Sequence, residues 1–203
     1  MQTSSPTTGT RLPATAHLTR RIMVVGYGGK STLARAIAAK HGLAHVELDA
    51  LFWKPDWKQS LADEFQAKIE DAIGRAPAGW VVDGSYFGTI GGLVISQAET
   101  VVFINMPWRV MFWRMFLRSI KRICDKQRIC GDNYESFRQT FLSRKSLLWW
   151  HITNRKRYKT QRGRLLPLVP PQAWLIELNS AEALDRFCRD NELDAPGRAS
   201  TLK

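Results

Sequence analysis

The sequence predicts an α/β fold with three layers, α/β/α, around a five-stranded parallel sheet. Strand-like and helix-like patterns alternate along the 203 residues, as they do when strands are joined by crossover helices. The strand-like stretches are near-continuous apolar runs, such as VVFI within TVVFIN at 100–105, which suits strands covered on both faces. Polar and glycine residues then stand at the carboxyl ends of successive runs: a glycine loop after the first, Asp49 after the second, Asp83 after the third and Asn105 after the fourth. Ligands of parallel sheets bind at those ends.

Taken in order, residues 1–20 are rich in Thr, Ser and Pro without an apolar core, which predicts a disordered extension rather than a signal peptide. Residues 22–25 form the first strand and 30–41 the first helix. Residues 44–48 (AHVEL) give a second strand ending at Asp49, followed by an aromatic loop, LFWKPDW, broken by Pro55. Leu61, Phe65, Ile69 and Ile73 recur at helical spacing. The third strand, 80–83, stops at Gly84, and the fourth, 100–105, is closed by Met106-Pro107. A long helix over 108–123 carries Trp108, Phe112, Trp113 and Phe116, whose spacing reads as core. A polar loop over 124–133, a helical stretch over 135–157 and a fifth strand over 173–178 follow, and Ser180 caps a last helix ending near Asn191. One domain over 21–195 results, with a flexible tail at 196–203.

Charge is concentrated. Residues 109–164 hold 16 Lys or Arg against three acids, net +13, while the rest of the chain is net −1. A basic module in a neutral scaffold predicts a local anionic ligand, a polyphosphate or a nucleic-acid backbone. Cys124, Cys130 and Cys188 form no disulfide framework, which predicts a reducing, cytoplasmic setting. No stretch approaches the ~20 apolar residues of a membrane-spanning helix.

The most informative segment is MVVGYGGKSTL at 23–33. Gly-Lys-Ser between a strand and a helix is the setting in which backbone amides, a lysine and a hydroxyl bind nucleotide phosphate and Mg²⁺. Gly26, Gly28 and Gly29 would supply the cradle, Lys30 would reach the β/γ-phosphates, Thr32 would join them at the nucleotide, and the Ser31 hydroxyl would ligate Mg²⁺. The usual spacing, G-x-x-x-x-G-K-[ST], puts a glycine at position 24, where Val24 stands, so the loop is two residues short. Either the cradle is shallower or the strand end unwinds to supply amides.

GGKSTLARAIAAKHGL, VELDALFWKPDW, GWVVDGSY, TVVFINMPWRVMFWRMFLR and LLWWHITNRKRY, in this order, resemble the adenylate-kinase-like P-loop proteins, specifically the bacterial group labelled DNA topology modulation or FlaR-like. The likeness spans roughly residues 22–178, and the shortened loop departs from it. It implies a nucleotide-kinase-like P-loop NTPase fold with a mobile lid inserted at about 119–160, and ATP and Mg²⁺ as cofactors. Asp83 takes the place where related kinases carry Asp-Gly at a strand end, to hold Mg²⁺ or orient the acceptor; the alternative is a strand-terminating turn. Asp49 is similar to the acceptor-side aspartate of small-molecule kinases, where a carboxylate orients the accepting hydroxyl; the alternative is a helix N-cap. Arginines in the fourth-strand helix and after the lid neutralise the transferred phosphoryl in those kinases, which points to Arg118, with Arg114 one turn before it, and to Arg155 and Arg157.

Further candidates remain open on the residues alone. Trp53 and Trp57 either stack on a base or sugar or plug the core, and Tyr86 shares their pocket. Cys124 and Cys130 lack the paired spacing of a zinc lid, and His151, distant in sequence, is expected to face the helix interior. Trp149-Trp150 followed by Arg155, Lys156, Arg157 and Lys159 could instead make an aromatic-basic surface for nucleic acid or acidic lipid. Three functions compete: an ATP-dependent kinase acting on a small hydroxyl- or phosphate-bearing acceptor such as a nucleoside or nucleotide, a nucleic-acid-binding protein using the basic segment, and a degenerate nucleotide-binding relative.

Overall fold

The computed structural model describes residues 18–126, 128–130, 133–134, 149, 152–153 and 155–194. Its sheet is built from β1 (Arg21–Tyr27), β2 (Ala44–Glu47), β5 (Trp80–Asp83), β6 (Thr100–Asn105) and β9 (Trp174–Leu178), in the order β2-β5-β1-β6-β9. All four pairings are parallel. The expected sheet is therefore present, with helices on both faces.

The apolar runs explain the layering. Ile22, Met23, Val24 and Val25 are all fully buried, and the pleat sends them alternately to opposite faces. Ile22 and Val24 pack with Leu33 and Ile37 of α1 (Lys30–His41) and Phe187 of α7 (Ala181–Asp190). Met23 and Val25 pack with Phe65 and Ile69 of α3 (Ala62–Gly74). Each such side chain contributes about 1.5–3 kcal/mol, so β1 is sealed from both sides. Ser180 caps α7 as expected, its Oγ accepting the Ala183 N–H at 3.1 Å.

Several expectations need correction. Strand β2 ends at Glu47, and Leu48–Phe52 forms a short helix, α2, so Asp49 lies inside a helical turn rather than at a strand end or an N-cap. The aromatic loop contains a small hairpin, β3 (Trp53–Lys54) with β4 (Lys58–Gln59), turned through Asp56 and Trp57 at φ 61° and 56°. A four-residue helix, α4 (Phe87–Ile90), follows β5. Helix α5 runs Trp108–Cys124, and the polar loop expected after it holds the hairpin β7 (Arg128–Ile129) with β8 (Asn133–Tyr134).

Helix α5 turns a different face to the core than its aromatics suggest. Met111, Met115 and Ser119 are buried, whereas Trp113 is 59% exposed. Trp108, Phe112 and Phe116 form a neighbouring stacked row, with centroids 5.2 and 6.4 Å apart. Helical spacing identifies stripes, and α5 has more than one that is apolar. The second helical stretch continues past Arg157: α6 spans Arg155–Leu165. Most of 135–154, including His151 and Trp150, lies outside the described residues, as do residues 1–17 and the tail at 195–203. Thr19 and Arg20 already bond to the sheet, Thr19 Oγ1 to Thr100 Oγ1 at 2.8 Å and Arg20 O to the Trp80 N–H at 2.8 Å.

Candidate functional site

A cleft of about 1090 Å³ opens beyond the carboxyl ends of β1 and β5. It lies where the crossovers from β1 and from β5 leave in opposite directions along the sheet order, the position expected of a parallel sheet. Gly26, Gly28, Gly29, Lys30, Ser31 and Thr32 line one side; Asp49, Tyr86, Arg114 and Arg118 also face it.

The shortened loop resolves into a tight turn. Strand β1 stays paired through Gly26↔Ile104 and Tyr27↔Asn105, so its end does not unwind, and α1 begins at Lys30. Only Gly28 and Gly29 lie between. The first intrahelical bond runs from the Leu33 N–H to Gly29 O at 2.9 Å, which leaves the Lys30, Ser31 and Thr32 amides as the helix's free N-terminal donors. Gly26 is a strand residue whose N–H donates to Ser85 Oγ at 3.2 Å. Its glycine identity has a packing cause: at φ 105°, a Cβ there would stand 1.9 Å from Ile104 O. Three helix-end amides replace a wrapped cradle.

Asp83 sits under this helix end, 2% exposed. Lys30 Nζ is 3.7 Å from its Oδ1, and His45 Nε2 is 3.7 Å from its Oδ2. Both separations exceed a hydrogen bond, and Asp83 Oδ2 and His45 Nε2 are buried without a partner. Burial works to raise the Asp83 pKa, but the His45 imidazole, the Lys30 ammonium and the Ser31 hydroxyl more than offset it and hold the carboxyl below its ordinary value. The group is an anion beside the Lys30 ammonium, with one oxygen still lacking a hydrogen bond.

On the opposite side, Tyr86 Oη donates to Asp49 Oδ1 at 2.5 Å. Burial and the Asp49 charge push the phenol pKa far up, so Tyr86 is a permanent donor and Asp49 the acceptor. Phe65 packs edge-on against Phe52 and Tyr86 at 5.1 Å, and Phe52 lies tilted against Tyr86 at 4.8 Å. Arg114 Nη1 donates to Gly28 O at 3.5 Å, tying α5 to the turn. Trp53 and Trp57 meet each other at 5.7 Å and do not line the cleft. Arg155 and Arg157 belong to α6, and their side chains lie outside the described residues. Cys124 and Cys130 join no group of three metal-ligating side chains among the described residues.

Sequence reasoning missed three contributors. His45 could have been found, since the alternation in AHVE sends it to the same face as Val81 and Asp83 on the next strand. Ser85 follows the Asp-Gly pair directly. The wall supplied by Asp185 and Arg189 of α7 had no local signal, because it depends on how the last helix packs.

The donor set fits a polyphosphate and a divalent cation: an ammonium, three free amides, a hydroxyl, and a buried carboxylate with an unpaired oxygen. No protein-family model matches the chain, and no curated protein does. Among solved structures the chain is similar to an unliganded sugar kinase from Janibacter sp. HTCC2649, at 19% identity and a TM-score of 0.45, over 88% of this chain and 97% of that one.

Proposed function

We propose that the chain is a phosphotransferase of the nucleotide-kinase type, using ATP and Mg²⁺ and a small hydroxyl- or phosphate-bearing acceptor. The grouping of Lys30, Ser31 and Asp83 at the start of α1 carries this reading. Lys30 and the amides of Lys30, Ser31 and Thr32 would hold phosphate oxygens, with the helix N-terminus adding partial positive charge. Ser31 and Asp83 would hold Mg²⁺. The nucleotide, when bound, supplies the phosphoryl group and the metal neutralises part of its charge. Asp49, fixed by Tyr86, would orient the acceptor hydroxyl and take its proton. Arg114 and Arg118, four apart on one helix face and both at the cleft, would neutralise charge developing on the phosphoryl.

The two-residue turn favours one other reading, a binding module that holds a nucleotide without transferring phosphate. Titration with ATP and Mg²⁺, followed by ATP turnover against a panel of nucleosides, nucleotides and sugars, separates the two. Binding with phosphorylated product supports the kinase. Binding without product under any acceptor supports the module. Absence of heat on titration overturns both.

A further inference from the structure

Helix α5 is apolar on two opposite sides. Met111, Met115 and Ser119 enter the core. At ~100° per residue, Val110, Trp113, Leu117 and Ile120 fall within an arc of about 80° on the far side, where they are 37, 59, 61 and 38% exposed. A helix of a globular domain ordinarily turns a polar face outward; α5 turns out a second hydrophobic stripe. The shoulders of that stripe are cationic: Arg109 and Lys121 are exposed, and α5 contains no acidic residue. Of the eight large apolar side chains exposed among the described residues, seven lie in the basic segment 109–164, the others being Tyr134, Trp149 and Ile152. Exposed hydrocarbon and positive charge thus coincide in one part of the chain.

We propose that this face of α5 docks on an anionic lipid surface, the stripe entering the boundary between headgroups and acyl chains and the basic shoulders meeting lipid phosphates. An amphipathic helix lying in the interface combines these two properties. Nucleic acid fits the charge but not the stripe: bases stack on rings, and three of the four side chains are aliphatic. A second copy fits the stripe but not the charge, since it would set Arg109 and Lys121 against their own likes. None of the four stripe residues lines the cleft, so the inference stands apart from the phosphotransfer reading.

The test is co-sedimentation of the full chain with vesicles of phosphatidylcholine alone and with about a third phosphatidylserine. The chain is expected to pellet with the anionic vesicles only, and less as salt rises. Trp113→Ser with Leu117→Ser is expected to bind at least tenfold more weakly, with unchanged melting temperature. Arg109→Gln with Lys121→Gln, which removes no apolar side chain, is expected to weaken binding severalfold and carries the test if the first variant melts early. Failure of the wild type to pellet overturns the proposal, as does an undiminished pellet with either variant. So does vesicle-free self-association that the stripe substitutions abolish, which assigns the face to a second copy, or duplex DNA binding lost in the same variant, which assigns it to nucleic acid.

Discussion

Lys30 Nζ stands 3.7 Å from Asp83 Oδ1, so the first residue of α1 faces the last residue of β5. The pair joins the turn to the neighbouring strand, and the carboxyl is held below its ordinary pKa because the His45 imidazole, the Lys30 ammonium and the Ser31 hydroxyl outweigh its burial. Lys30→Ala and Asp83→Asn are each expected to lower ATP turnover by ~10² or more, with circular dichroism unchanged for Lys30→Ala. Acting as one unit, the double variant should be little worse than either single. Turnover equal to wild type in Lys30→Ala would remove the proposed donor site.

Gly26→Ala should be costly for a reason unrelated to chemistry. The new Cβ would meet Ile104 O at 1.9 Å, on a residue at φ 105°. Loss of ~3 kcal/mol or more is expected in urea unfolding. Gly29→Ala, where the nearest foreign atom is Leu184 Cδ2 at 3.6 Å with φ 119°, carries backbone strain only, ~1–2 kcal/mol.

Tyr86→Phe removes the donor to Asp49 and leaves the ring in place. A stability loss of ~1–2 kcal/mol is expected, together with a fall in kcat larger than any change in KM for ATP. Equal loss in both would make Tyr86 a packing residue.

Glu64 sits between Lys54 and Lys68, the Lys68 Nζ at 2.7 Å, and these ammoniums lower its pKa from 4.5 to about 2. A folded pKa below the unfolded one gives stability that is full above pH 4.5 and is lost as pH falls toward 2. Glu64→Gln should therefore melt below wild type at pH 7, and the gap should close over that acidic window. A gap independent of pH would exclude the ion pairs as its source.

Asn133 ties two hairpins. Its Oδ1 accepts the Trp57 N–H at 3.0 Å, and its Nδ2 donates to Lys54 O at 3.0 Å and Cys130 O at 2.7 Å. Asn133→Ala should cost ~2–3 kcal/mol if global. A local effect would show instead as faster proteolysis near residues 126–134 with unchanged urea midpoint.

The sheet was legible because several of its strands are near-continuous apolar runs, and a run as short as VVFI with polar residues at both ends suits a buried strand better than a helix. The turn and Lys30, Ser31 and Asp83 were legible because each lies next to such a run. Asp49 was read in the right neighbourhood but the wrong element, since Leu48 continues the strand pattern and nothing local marks the switch to helix. Trp113 was misread because α5 has apolar side chains on nearly every side, and only packing decides which faces inward. Asn133 and the α7 wall depend on contacts between residues far apart in sequence, which no local pattern encodes.

The brevity of the join between β1 and α1 has a mechanical consequence. Paired backbone reaches Tyr27 and helical bonding starts at Gly29, so the connection has no slack. Under the proposed reading, an arriving anion would meet a short, bonded rim, and adjustment to it would come from swinging side chains rather than from the peptide chain reshaping itself.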